Sequence, residues 1–175
     1  MRVLVVSIIV LFNFVVQTTI LQYIAIFGIM PNTALILIVA YAVLRGDVEA
    51  CIMGFFAGIL HDIFYAEFIG FHALLFALAG FLCGKPFRDF FKENYLLPIV
   101  LTFIGMVAHE TIFFIIIFAF MEQRDLLYYL VTIILPASLY TAVLAIPIYR
   151  IMYSINLRLE NRERKKAIIF EKKDL

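Results

Sequence analysis

Apolar residues run in long, almost unbroken stretches along this chain, and short clusters of charged residues and turn formers separate them. These clusters are "FGIMPN", "RGDVE", "AEFIG", "GKPFRDFFKEN" and "MEQRD". They divide the chain into six apolar segments, at about residues 3–26, 31–46, 48–65, 69–84, 95–120 and 126–153. Repeated apolar stretches close to membrane-spanning length are typical of helices that cross a lipid bilayer. The pattern therefore predicts an all-α, polytopic membrane protein with six transmembrane helices.

The composition supports this interpretation and sets the domain organisation. Of the 175 residues, 65% are hydrophobic and 15% are charged, whereas soluble proteins have roughly half and a quarter. The apolar segments leave room for only a short hydrophilic region at the end of the chain. We therefore predict a six-helix transmembrane domain at residues 1–153 and a basic cytoplasmic C-terminal tail at residues 154–175.

The distribution of lysine and arginine predicts the orientation. If both termini are cytoplasmic, thirteen of the fourteen basic residues lie inside and only Arg124 lies outside. The second segment is the weak point, because at ~1.5 Å per residue it covers about 24 Å of a ~30 Å hydrocarbon core. A five-span chain with its N-terminus outside would place only one more basic residue, Arg2, on the outer side. The inside residues are Arg2, Arg45, Lys85, Arg88, Lys92, Arg150 and seven residues of the tail.

Small residues form one face on each of two neighbouring helices. Gly54, Gly58 and Asp62 are spaced i, i+4 and i+8 on the third segment, and Gly80 and Gly84 repeat this spacing on the fourth. Glycines at this spacing let another helix approach closely. We predict that the third and fourth helices form a close hairpin. Intramolecular packing explains the glycines, and the functional alternative is that these five residues receive the helix of a partner protein.

Charge is costly inside a bilayer, and five ionisable residues lie in the outer half of the predicted spans, away from the cytoplasmic segment ends. His61, Asp62, His72, His109 and Glu110 occupy compatible depths in the outer half of a six-span protein. We predict an intramembrane polar cluster, in which Glu110 or Asp62 pairs with a histidine or accepts a backbone donor. This pattern allows two interpretations. The cluster fixes the register of the helices, or it forms a pathway for protons or a substrate.

Motifs for catalysis and for cofactor binding are not found in the sequence. "HETIF" at residues 109–113 lacks the second histidine of a zinc protease motif, and no other histidine pair has ligand spacing. Phosphate-binding loops, dinucleotide fingerprints and nucleophile elbows are missing as well. We therefore predict no enzymatic activity, no metal, no cofactor and no nucleic-acid partner.

Residues 31–84 resemble the core of the MreD family, the rod shape-determining membrane proteins of bacteria. The family pattern is a proline that opens the second helix, an Arg-Gly pair, a G-x-x-x-G-x-x-x-D helix, a glycine in the next loop and a small-residue helix that ends in glycine. The matching residues here are Pro31, Arg45, Gly46, Gly54, Gly58, Asp62, Gly70, Gly80 and Gly84. His61, Asp47 and Glu49 depart from the pattern.

The resemblance implies a non-enzymatic scaffold in the bacterial plasma membrane that supports cell shape and lateral peptidoglycan synthesis. Members of the family associate with MreC, and through it with MreB, RodA and a class B penicillin-binding protein. Their fold is similar to the six-helix S-components of energy-coupling-factor vitamin transporters, which supplies an alternative function as a substrate-binding subunit. The first segment here has no alanine before Ala25, and the outer loops are short. Both features disfavour that alternative.

Overall fold

Helices account for nearly all of the chain in the computed structural model, which describes residues 2–26, 28–65, 69–84, 96–120 and 126–171. The helices are α1 (Arg2–Thr19), α2 (Thr33–Arg45), α3 (Asp47–Tyr65), α4 (Phe71–Gly84), α5 (Leu96–Phe120), α6 (Leu126–Tyr129) and α7 (Leu135–Glu171). A 3₁₀ turn at Leu21–Ile24 follows α1, and a π-helical turn at Leu130–Ile134 joins α6 to α7. Within these ranges there is no β-strand, which agrees with the predicted all-α class.

The helices follow the six predicted segments except at the last, where α7 continues past residue 153 to Glu171, and at the first. The first segment was predicted to run to residue 26, but α1 ends at Thr19. The chain then turns, and Ile26 and Ile29 exchange two backbone hydrogen bonds of 3.2 and 2.9 Å around Gly28, which has φ +80°. The chain stays apolar through this turn, so the end of the first helix, when predicted from hydrophobicity alone, falls too late in the sequence.

Helix α2 lies at the centre of the bundle. Every residue from Thr33 to Leu44 is buried, and α2 packs against α1, α3, α4, α5 and α7. Asn32 caps its start by accepting a 3.0 Å hydrogen bond from the Leu35 amide. Gly46, with φ +102°, ends the helix, and its amide donates a 2.8 Å hydrogen bond to the Ala42 carbonyl. A helix that is apolar on all sides is stable where the protein surrounds it.

Three helices of the described chain are long and apolar enough to cross a membrane: Arg2–Thr19, Leu96–Ile116 and Leu127–Lys165. Helices α2 and α4 are apolar but shorter, with 13 and 14 residues. Helix α3 has 19 residues but carries Asp47, Glu49 and Asp62. The protein is therefore a helical protein with apolar segments suited to a membrane. The count of six spans, the orientation and the division at residue 153 stay predictions.

Helices α3 and α4 form an antiparallel hairpin, as predicted, and their backbones touch. A Cβ atom added to Gly80 would lie 2.5 Å from the Ala50 carbonyl oxygen, and one added to Gly58 would lie 2.5 Å from the His72 carbonyl oxygen. Gly54 meets the backbone of Phe76 in the same way, and Gly84 meets that of Asp47. Any side chain larger than hydrogen at these four positions would push the two helices apart.

The same contact corrects the hypothesis that these glycines receive a partner helix. Gly54 and Gly58 are covered by α4, and Gly80 and Gly84 are covered by α3. Asp62 is also buried, with 1% of its surface exposed. The small-residue faces are thus used inside the chain, and a partner helix would have to bind a different surface.

Charged side chains connect four helices at one end of the bundle, which we call the charged end. Arg2 contacts Glu49 at 3.3 Å and also pairs with Glu163 of α7. Arg45 donates from Nε to Asn156 Oδ1 at 2.5 Å. The start of α1, the end of α2, the start of α3 and the late part of α7 therefore lie together. The remaining loop cations of the orientation argument, Lys85, Arg88, Lys92 and Arg124, lie outside the described residues.

Candidate functional site

The buried carboxylate of Asp62 organises the opposite end of the bundle, which we call the polar end. Asp62 lies near the end of α3, and its two oxygens accept backbone hydrogen bonds from Gly70 at 2.9 Å, His72 at 2.9 Å and Ala73 at 3.0 Å. These amides belong to the turn before α4 and to its first residues, which have no partners within the helix. A carboxylate at a helix N-terminus also compensates the helix dipole. Asp62 therefore fixes the α3–α4 turn.

His72 shares this carboxylate and extends the polar end towards α5. Its Nδ1 lies 2.9 Å from Asp62 Oδ1. Because an ionised carboxylate only accepts hydrogen bonds, Nδ1 of His72 carries the hydrogen, and Nε2 is an acceptor when the ring is neutral. The ring lies between two other imidazoles, with centroid distances of 5.0 Å to His61 and 5.5 Å to His109. The three predicted histidines therefore form one row.

His109 and Glu110 complete the predicted cluster from helix α5. His109 is 7% exposed and packs against Phe76 with a ring-centroid distance of 5.2 Å. Its Nδ1 lies 3.4 Å from Glu110 Oε1, yet neither ring nitrogen makes a hydrogen bond within the described part of the chain. The structure thus gathers His61, Asp62, His72, His109 and Glu110, with Asp62 hydrogen-bonded to His72 and Glu110 beside His109.

Three residues with amide side chains also belong to the site, although the sequence did not assign them to it: Gln17, Asn32 and Gln22. Gln17 Oε1 accepts from Thr33 Oγ1 at 2.9 Å and from the Ala34 amide at 3.1 Å, while its Nε2 lies 3.5 Å from His61 Nε2. Asn32 is the cap of α2 and follows the buried Pro31. The Pro-Asn-Thr sequence is a recognisable helix start and could have indicated a cap. It could not have shown that the start of α2 meets the histidines.

A pocket of about 280 Å³ opens at the polar end between these side chains. Its wall includes three histidines, three residues with amide side chains and one with a carboxylate: His61, His72, His109, Gln17, Gln22, Asn32 and Glu110. Met30, Met106 and Phe113 supply apolar surface. Asp62 does not line the pocket but lies behind His72. The arrangement can hold a small polar group by hydrogen bonds and partly shield it from water.

The remaining family-motif residues hold turns or contacts away from the pocket, except Pro31, which lines it. Gly46 and Gly70 have φ values of +102° and +100°, a conformation that residues with a side chain rarely adopt. Arg45 binds Asn156 at the charged end. Among the residues that the structure describes, no group of three or more His, Cys, Asp or Glu side chains is arranged to hold a metal ion.

Comparison with known proteins gave one match. The family model described as rod shape-determining protein MreD matches residues 1–157. No curated protein and no solved structure matches the chain. The matched region begins with α1 and includes the α3–α4 hairpin, the pocket and the first 23 of the 37 residues of α7.

Proposed function

The chain belongs to the MreD family of rod shape-determining proteins, and from that premise we propose that it is a non-enzymatic scaffold of the cell-elongation machinery. In this proposal it associates with MreC in the bacterial plasma membrane and supports lateral peptidoglycan synthesis. MreB, RodA and a class B penicillin-binding protein are reached through MreC. The family match over residues 1–157 is the observation that carries the proposal.

The proposed architecture is a multi-pass, S-component-like bundle with six spans and both termini in the cytoplasm. The pairing of Arg2 with Glu163 supports it, because the start of α1 and the late part of α7 share one end of the bundle. Arg45 lies at the same end. Basic residues favour the cytoplasmic side of a membrane, so the charged end is the cytoplasmic end in this proposal. The polar end then faces outward.

A scaffold needs a shape that does not change when partners bind, and the α3–α4 hairpin supplies one. Its glycines bring two backbones into contact, and Asp62 fixes the turn between them with three backbone hydrogen bonds. Interactions of this kind leave little freedom for the helices to slide. We propose that MreC binding depends on the intact hairpin, although the glycines themselves are covered.

The proposal is tested by complementation and co-purification in a rod-shaped bacterium whose own MreD gene is deleted. The wild-type chain should restore rod-shaped cells, and tagged MreC should retain it in a mild detergent. Gly58→Leu should lose both activities, because the new side chain would overlap the backbone of Ala73. Gly105→Ala is the control for replacing a glycine within a helix, since a Cβ there meets only Leu35 Cδ2, at 3.8 Å.

Membrane levels of each variant are measured by immunoblotting, so that loss of binding is separated from loss of protein. Failure of the well-expressed wild-type chain to retain MreC would contradict the scaffold proposal. A well-expressed Gly58→Leu protein that still retains MreC would contradict the role given to the hairpin.

A further inference from the structure

We propose that the pocket at the polar end binds a small ligand through an ammonium group. The proposal rests on the geometry of the pocket and does not depend on association with MreC. Three observations on the described residues carry it: a buried histidine that has no hydrogen-bond partner among them, a single formal charge among those that line the pocket, and a pocket volume suited to a small molecule or a lipid headgroup.

His109 supplies the first observation. It is 7% exposed, it lines the pocket, and its Nδ1 and Nε2 atoms make no hydrogen bonds within the described residues. A buried polar group without a partner costs ~1–3 kcal/mol, so native proteins rarely leave one unpaired. The neighbouring ring of His72, by contrast, is held by Asp62. A ligand in the pocket would give His109 the hydrogen bond that the described part of the chain does not provide.

The charge of the pocket selects the kind of ligand. Glu110 is the one formally charged side chain among the described residues that line it, and its side chain is 19% exposed. A neutral His109 ring offers one acceptor nitrogen, and the His72 tautomer set by Asp62 leaves Nε2 as a second acceptor. The carboxylate of Asp62 adds negative charge behind His72. A wall that is rich in acceptors and negative in charge favours a cationic donor and disfavours an anion.

An ammonium group fits these requirements, because it carries a positive charge and donates several hydrogen bonds. Hydrogen bonds between charged partners are roughly twice as strong as neutral ones. Phe113 and the two methionines of the wall are also suitable neighbours, since aromatic faces attract cations and thioethers are polarisable. The volume of about 280 Å³ is close to the lower limit of ~300 Å³ for small-molecule pockets. The ligand is therefore a small amine or an aminophospholipid headgroup.

The test measures binding of ethanolamine to the purified full-length protein in detergent, in a buffer free of amines. Ethylene glycol, which has the same size and no charge, is the matched probe. Saturable binding of ethanolamine at least tenfold tighter than that of ethylene glycol is the expected result for the wild-type protein. Equal binding of the two probes, or no saturable binding of ethanolamine, would overturn the proposal without any variant being made.

Variants then locate the site. Glu110→Gln removes the charge and keeps the shape, and His109→Phe removes both nitrogens and keeps the ring packing. Each should weaken ethanolamine binding at least tenfold, which corresponds to about 1.4 kcal/mol. Glu160→Gln, the same substitution on α7 outside the pocket, should leave binding unchanged. If Glu110→Gln and His109→Phe both keep their helix content and bind like the wild type, the ligand binds elsewhere and the proposal is wrong.

The two sources of the ammonium group are separated in nanodiscs. Discs of phosphatidylethanolamine should block ethanolamine binding if the headgroup occupies the pocket, whereas discs of phosphatidylglycerol should allow it. Equal ethanolamine binding in both discs would assign the pocket to a free amine. Both results are consistent with a ligand that binds through an ammonium group. Loss of ethanolamine binding by Glu110→Gln in discs of phosphatidylglycerol confirms that the pocket is responsible.

Discussion

Replacing Asp62 by asparagine tests the role of the buried carboxylate in the α3–α4 turn. Oδ1 of Asp62 accepts from the amide and from Nδ1 of His72, while Oδ2 accepts from the amides of Gly70 and Ala73. Asparagine has one acceptor oxygen and one NH₂ group of almost the same shape. If the NH₂ group takes the place of Oδ2, the amides of Gly70 and Ala73 lose their acceptor. If it takes the place of Oδ1, the amide of His72 loses its acceptor, whereas the His72 ring can move its hydrogen to Nε2 and accept from the NH₂ group at Nδ1.

The magnitude follows from these four contacts. Hydrogen bonds to a charged group contribute ~1.5–3 kcal/mol each, so the orientation that loses one bond costs roughly 1.5–3 kcal/mol and the orientation that loses two costs roughly 3–6 kcal/mol. The Asp62 side chain is fully buried, with 0% exposure, and removing its charge also removes the cost of keeping that charge away from water. This gain offsets part of the loss. We therefore expect Asp62→Asn to adopt the orientation that loses one bond and to lower the free energy of unfolding by about 1.5–3 kcal/mol.

Asp47→Asn is the matched control on the same helix. Asp47 Oδ1 accepts a 3.0 Å hydrogen bond from the amide of Val48 at the exposed start of α3. Asparagine can also accept this bond and is equally favoured at a helix start. The change should cost less than about 0.5 kcal/mol, the lower part of the range for a surface charge near a helix N-terminus.

The assay is equilibrium unfolding of the purified protein by SDS in mixed micelles, followed by circular dichroism. The two variants and the wild type are compared at the same detergent concentration. If Asp62→Asn unfolds within about 0.5 kcal/mol of the wild type, or no further from it than Asp47→Asn does, the carboxylate does not stabilise the turn as argued.

Two further predictions concern the hairpin and the orientation. Gly58→Ala should destabilise the protein by ~1–3 kcal/mol in the same assay, because its methyl group would overlap Ala73. Gly105→Ala should be neutral or stabilising. Equal effects of the two substitutions would refute the close contact. With both native cysteines replaced by alanine, Lys165→Cys should react with an impermeant maleimide only after the cells are opened. Gln22→Cys at the polar end should react in intact cells, and the reverse labelling would contradict the proposed orientation.

The sequence predicted the hairpin but not the position of α2, and one physical reason explains both outcomes. Glycines at i and i+4 indicate close backbone approach in any solvent, so the spacing of Gly54 and Gly58 was sufficient. Hydrophobicity separates core from surface only when the surface faces water. Helices α1 and α2 are both predominantly apolar, yet α1 has no buried residue and α2 is buried from Thr33 to Leu44. The distribution of hydrophobic residues therefore does not distinguish a helix that faces lipid from one at the centre of the bundle.

The candidate site could be predicted in part for a related reason. Ionisable residues in apolar segments are few, so the cost of burying them led directly to His61, Asp62, His72, His109 and Glu110. Burying a neutral amide such as that of Gln17 costs less than burying a charge, so its presence in an apolar segment was a weaker indication of a site. The backbone donors that Asp62 uses come from the turn before α4 and from its first residues. Their identity depends on how the hairpin closes, which residue spacing does not specify.

The hairpin and the pocket share one residue, His72, and this sharing connects the shape of the bundle to the site. The carbonyl of His72 contacts Gly58 on one side, and its amide and ring bind Asp62. The same ring lines the pocket and lies next to His109. A change that separates α3 from α4 must therefore move a pocket wall. The glycines that let the two backbones touch thus also determine where the polar end places its acceptors.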